Sequence, residues 1–119
     1  MSKTRVYGLN NCDTCRKARK WLVAQGHEAE FIDYREHPVG RDTLRDWAAQ
    51  VGGWEKLVNR SSTTWRSLPP DRKEPADEGQ WLALVAEHPT LVKRPVLVTP
   101  DGTVSVGFSE AGWTQRLGG

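Results

Sequence analysis

The first 34 residues run strand, helix, strand, and few folds accommodate that order at such short spacing. Thr4 to Leu9 (TRVYGL) is a short run of β-branched and aromatic residues, and Asn10 and Asn11 supply a turn. Ala18, Trp21, Leu22 and Gln25 then recur at helical spacing, Gly26 is placed as a C-terminal cap, and Glu28 to Ile32 (EAEFI) reads as the next strand. Two strands joined through a helix make a parallel, right-handed unit, because a tight turn joins only antiparallel neighbours.

From about His37 to Pro89 the strand signal disappears. Asp42 is expected to cap a helix that holds Leu44, Trp47, Ala48 and Val51 and closes at Gly52-Gly53, with Trp54, Leu57 and Val58 as a further turn. Pro69 and Pro70 interrupt, and Glu78 to Glu87 forms a helix that stops before Pro89. β structure returns at Val96 to Thr99 and Thr103 to Val106, joined by a Pro100-Asp101-Gly102 turn, and a last helix runs from about Ser109 to Leu117. The order βαβ, then ββα, predicts an α/β chain with a four-stranded mixed sheet in the thioredoxin-like arrangement. It is expected to be one domain over residues 1–119, with a helical insertion at about 38–90.

A net charge of +2 is too small to argue for direct nucleic-acid or anionic-membrane binding. No apolar run approaches the roughly 18 residues of a spanning helix, and MSKTR is not followed by a signal-peptide core, so a cytoplasmic protein is expected. In that reducing compartment a close cysteine pair is more often catalytic, redox-sensing or metal-binding than a structural staple.

Both cysteines, Cys12 and Cys15, lie at the junction of the first strand and helix. Backbone N–H groups and the positive end of the helix dipole favour a thiolate at Cys12, as would the basic residues Arg16, Lys17, Arg19 and Lys20. Cys15, one turn on, can resolve a disulfide formed at Cys12. Two other readings stay open: a buried, inert pair, and half of a shared zinc site, although His27, His37 and His88 show no paired ligand spacing and no metal is expected. Asp13 is a candidate helix cap, the three histidines are expected to be solvated, and the six tryptophans are expected mostly in the core. A second candidate group is VKRPVLV, where Pro95 opens a strand. In a thioredoxin-like fold the matching proline is cis and stands beside the active cysteine, which would bring Arg94 to Cys12; spacing alone favours instead an exposed Lys93-Arg94 pair at a strand edge.

NCDTCRKARKWL, LVNRSSTTWRSL, EHPTLVKRPVLV and VGFSE, in that order over nearly the whole chain, resemble the family of glutaredoxin-linked arsenate reductases and their Spx and YffB relatives. TTWR and GFSE are most similar to the YffB-like group. The resemblance implies a nucleophilic Cys12, an anion-binding Arg94 and a cis Pro95. On that basis Arg60 and then Arg66 are candidates to line the same cleft, and backbone groups at Pro95 to pair with an extended substrate. The resemblance also implies a thiol-disulfide oxidoreductase with glutathione as co-substrate and no tightly bound cofactor. Two departures matter. Arsenate reductases of this kind place a third arginine after the hairpin, where this chain reads VSVGFSE, so arsenate is expected to be held poorly. Cys15 is the second cysteine of a pair that in Spx is a redox switch, and Spx binds RNA polymerase; a regulator of that type is the alternative expectation.

Overall fold

Along TRVYG, Thr4, Val6 and Gly8 are buried while Arg5 is exposed, as expected for a strand inside a sheet with one face packed, in a computed structural model that describes residues 4–117. In chain order the elements are β1 (Thr4–Gly8), α1 (Asp13–Ala24), β2 (Ala29–Asp33), α2 (Arg41–Val51), α3 (Trp54–Leu57), α4 (Thr63–Arg66), α5 (Glu78–Glu87), β3 (Val96–Val98), β4 (Val104–Val106) and α6 (Glu110–Leu117). Single 3-10 turns lie at Pro70–Arg72 and Pro89–Leu91. The chain divides into two compact units: residues up to His37 together with those from Arg94, and Pro38–Lys93.

The first unit holds the sheet, ordered β2-β1-β3-β4. β1 pairs parallel with β2, with Val6 opposite Phe31, and antiparallel with β3, with Val6 opposite Leu97; β3 pairs antiparallel with β4. Residues opposite one another share a face, and Val6 and Leu97 form one buried cluster with Ala18, Trp21 and Leu22 of α1 and Trp113 of α6. Both helices therefore cover the same side of the sheet. Trp113 meets Trp21 and Phe108 edge-on, with ring centroids at 6.2 and 4.9 Å, and its indole N–H donates to the Gly107 carbonyl at 3.1 Å. This strand order and helix placement define the thioredoxin-like fold.

The helical unit is built from short amphipathic pieces. α2 buries Leu44, Trp47 and Ala48, and α5 buries Leu82, Leu84 and Val85. Its two ends are tied by a bridge between Val58 and Val92, with the Asn59 N–H donating to Leu91 at 2.7 Å and the Lys93 N–H to Leu57 at 2.8 Å. Trp81 stacks between Trp54 and Trp65, at centroid distances of 6.3 and 6.0 Å.

Several local expectations change. α2 starts at Arg41 with Gly40 as its N-cap; Asp42 lies in the first turn and pairs with Arg45 at 3.2 Å. TTWR is one turn of helix, capped by the Ser62 hydroxyl accepting from the Trp65 N–H at 3.1 Å. Asp13 is not the cap of α1; Cys12 occupies that position and Asp13 pairs with Arg16 at 3.3 Å. His27, expected to be solvated, is only partly exposed: its ring stacks on Trp21 at 5.8 Å and its Nε2 is buried without a hydrogen-bond partner. Among the described residues, no helix is long and apolar enough to cross a membrane.

Candidate active site

α1 begins where β1 ends, and the sulfurs stand at that junction. Cys12 is the N-cap residue, in extended conformation (φ −98, ψ 124) and partly exposed, with no side-chain cap to compete for the first N–H groups of the helix. Burial works against its thiolate but is outweighed by the Cys15 backbone N–H, the Cys15 thiol, the Arg94 guanidinium and the Thr14 backbone N–H, so the Cys12 pKa is lowered. The charge identified at Cys12 is thus that of Arg94. In the basic run of α1, Arg16 is engaged by Asp13, and the Arg19 guanidinium lies over the Phe31 ring at 4.2 Å.

Cys15 has the opposite character. It is fully buried on the inner face of α1, and burial, reinforced by the neighbouring Cys12, pushes its thiol up to about 11. Its sulfur fills the space over Gly8: a Cβ built on Gly8 would stand 2.5 Å from Cys15 Sγ. Cys15 therefore remains a protonated donor to Cys12 near neutral pH.

Arg94 precedes β3 through a cis peptide bond to the fully buried Pro95. It is half-buried, so the exposed Lys93-Arg94 alternative does not hold. Burial opposes its charge, but Tyr34 and Cys12, both hydrogen-bonded to it, raise its pKa above the ordinary value. The main chain of Pro95 fits a pairing role less well than the sequence suggested, since proline has no N–H and its carbonyl already accepts from Gly107 at 2.9 Å. Gly107, in the segment lacking the third arginine, has φ +83, where any other side chain would be strained.

Three contributors escaped sequence reasoning. Gly8 makes room for Cys15, Tyr34 meets Arg94, and Asp33 anchors the loop before Cys12. The Asp33 carboxylate accepts the N–H groups of Asn10 (3.1 Å), Arg35 (2.9 Å) and Glu36 (3.2 Å). Burial would raise its pKa, but these bonds and the Arg35 charge outweigh that and lower it. A carboxylate so depressed stabilises the fold above its unfolded pKa, and the contribution is lost as pH falls through its folded value. Asp33→Ala is expected to destabilise the protein by about 2 kcal/mol near neutrality, with the deficit shrinking in acid; denaturant melts at pH 7 and pH 3 would show it.

The remaining candidates, Arg60 and Arg66, belong to the helical unit and are exposed. Arg60 lies over the Trp65 ring at 5.7 Å, and Arg66 ends α4. Among the described residues, no group of three or more His, Cys, Asp or Glu could hold a metal ion.

A partly exposed cysteine at the start of the first helix, beside an arginine that precedes a cis proline, places the chain among the thioredoxin-like proteins that carry a cysteine at this junction. Within that class, the chain belongs to the ArsC family, whose model matches residues 7–115. An uncharacterized protein of Haemophilus influenzae is 43% identical over 105 residues, covering 88% of this chain and 90% of that one. A solved YFFB protein superposes with a TM-score of 0.87 at 35% identity, over 97% of this chain and 99% of the other. The global transcriptional regulator Spx of Streptococcus pyogenes is 32% identical over 106 residues, 84% of this chain and 74% of that protein.

Proposed function

We propose that the protein is a cytoplasmic thiol-disulfide oxidoreductase, with Cys12 as nucleophile and glutathione as co-substrate. The observation that carries this reading is the pairing of a partly exposed Cys12, its pKa lowered, with a buried Cys15 whose pKa is raised to about 11. In the first step the Cys12 thiolate attacks one sulfur of a substrate disulfide. A bond forms between Cys12 Sγ and that sulfur, the substrate S–S bond breaks, and the departing thiolate takes a proton from solvent. In the second step a glutathione thiolate attacks the sulfur bonded to Cys12, releasing Cys12 as thiolate and carrying the substrate sulfur away as a mixed disulfide with glutathione. Arg94 either steadies the Cys12 thiolate or holds a glutathione carboxylate through parallel hydrogen bonds.

Resolution by an external thiol is favoured over resolution by Cys15. A buried thiol with a pKa near 11 carries only about one thiolate in ten thousand at pH 7, whereas a free thiol exposes a few per cent. Cys15→Ser is therefore expected to keep at least about a third of wild-type turnover in glutathione-driven reduction of hydroxyethyl disulfide. Loss of turnover in that variant would assign resolution to Cys15, and absence of turnover in the unaltered protein would reject the proposal.

The second reading, a redox-switch regulator that partners RNA polymerase, is favoured by the similarity to Spx together with the contact between the two cysteine side chains. It requires a Cys12–Cys15 disulfide as the signal, so Cys15→Ser would disable it.

A further inference from the structure

Arg94 is the cation beside Cys12, yet an arginine has four rotatable side-chain bonds, and a half-buried one stays in place only if something other than the sulfur fixes it. Tyr34 has the placement to do so. It follows β2 directly, and its backbone N–H donates to the Gly8 carbonyl at 3.1 Å, extending the β1–β2 ladder by one residue. The preceding residue, Asp33, is locked by three backbone N–H groups. The Tyr34 side chain is 2% exposed and hydrogen-bonded to Arg94, which is in turn hydrogen-bonded to Cys12. A guanidinium offers five donors in a rigid plane and can serve a phenol oxygen and a sulfur together.

We propose that Tyr34 is a positioning residue that holds the Arg94 guanidinium against Cys12 Sγ, so that the cation is in place before substrate arrives. The proposal rests on the reading of Cys12 as the reacting thiol. Burial pushes the phenol up to about 12, so Tyr34 stays neutral and accepts from Arg94 without cancelling its charge. The other groups close to Cys12 are Cys15 and the N–H groups of the first turn; Asp13 and Arg16 are exposed and paired with each other.

The test is the pH profile of Cys12 alkylation by iodoacetamide, read by mass spectrometry, in the unaltered protein, Tyr34→Phe, Arg94→Ala and the double variant. Tyr34→Phe removes one hydroxyl, and it is expected to move the midpoint up and lower the Cys12 thiolate fraction near neutrality about threefold. Arg94→Ala is expected to have the larger effect, and the double variant to match Arg94→Ala alone, since Tyr34 acts only through Arg94. A Tyr34→Phe profile identical to that of the unaltered protein, or full additivity in the double variant, overturns the proposal. An unchanged profile in Arg94→Ala overturns it too and removes the role given to Arg94, while the nucleophile assignment is judged separately by turnover of Cys12→Ser. Should Tyr34→Phe not fold, the NMR signal of the Arg94 Nε–H in the unaltered protein decides: slow solvent exchange supports the clamp, and exchange as fast as that of an exposed arginine contradicts it.

Discussion

Cys12→Ser is expected to lose disulfide reduction altogether, by on the order of a thousandfold or more, with its melting temperature almost unchanged. The loss is chemical. A serine hydroxyl does not ionise near neutral pH even beside Arg94 and the N-terminal N–H groups of α1, and the N-cap position offers no base to take its proton. The small structural effect follows from the same geometry. Cys12 is only partly buried and belongs to no core cluster, and serine is a favoured N-cap residue, so lost sulfur packing is offset by a better cap. Turnover with glutathione and hydroxyethyl disulfide, measured beside a thermal melt, separates the two effects. Residual turnover above a tenth of the unaltered rate would place the chemistry elsewhere.

Gly8→Ala is expected to destabilise the protein by about 1–3 kcal/mol and to disturb Cys12 through its neighbour. A methyl group at position 8 would stand 2.5 Å from Cys15 Sγ and 3.4 Å from Phe31, and Cys15 is fully buried, so its sulfur cannot swing into solvent. Either α1 lifts from β1 or Cys15 changes rotamer and gives up its contact with Cys12; both outcomes weaken the forces that lower the Cys12 pKa. Cys15→Ala in the same chain removes the clashing atom. The double variant is expected to recover stability relative to Gly8→Ala, a sign reversal that independent sites do not show. Denaturant unfolding of the four proteins checks this, and a purely additive cycle would mean that Gly8 is required for another reason.

Elements with strong local signals were legible in the sequence. α5 runs from Glu78 to Glu87 as expected, because four apolar residues and the proline at position 89 agree with one another; the structure adds Asp77 as its N-cap, accepting from the Gln80 N–H at 2.9 Å. The βαβ and ββα halves were legible for the same reason, within a residue or two at their ends. α4 and the two 3-10 turns were not, since a single turn has no periodicity to read, and Gly40 gave no side-chain oxygen to mark the start of α2. In the site, Cys12, Cys15, Arg94 and Pro95 stood out by residue type and by resemblance. Asp33, Tyr34 and Gly8 did not, because each acts through a contact that only the fold creates: Asp33 reaches Asn10 from 23 residues away, Gly8 of β1 lies against Cys15 of α1, and Tyr34 meets Arg94 only once β1 lies between β2 and β3. The basic run after Cys15 misled in the opposite direction, since proximity in sequence on a helix does not place Arg16 or Arg19 at the sulfur.

The most direct measurement is the pKa of Cys12 in the unaltered, reduced protein, from the pH dependence of its alkylation resolved from that of Cys15 by mass spectrometry. The expected result is a midpoint lowered relative to an ordinary free thiol, by the N–H groups of the first turn, the Cys15 thiol and Arg94, with Cys15 unreactive over the same range. A Cys12 midpoint at or above that of an ordinary free thiol would contradict the account, because burial would then outweigh Arg94, Cys15 and the helix N-terminus together, and no activated nucleophile would be present.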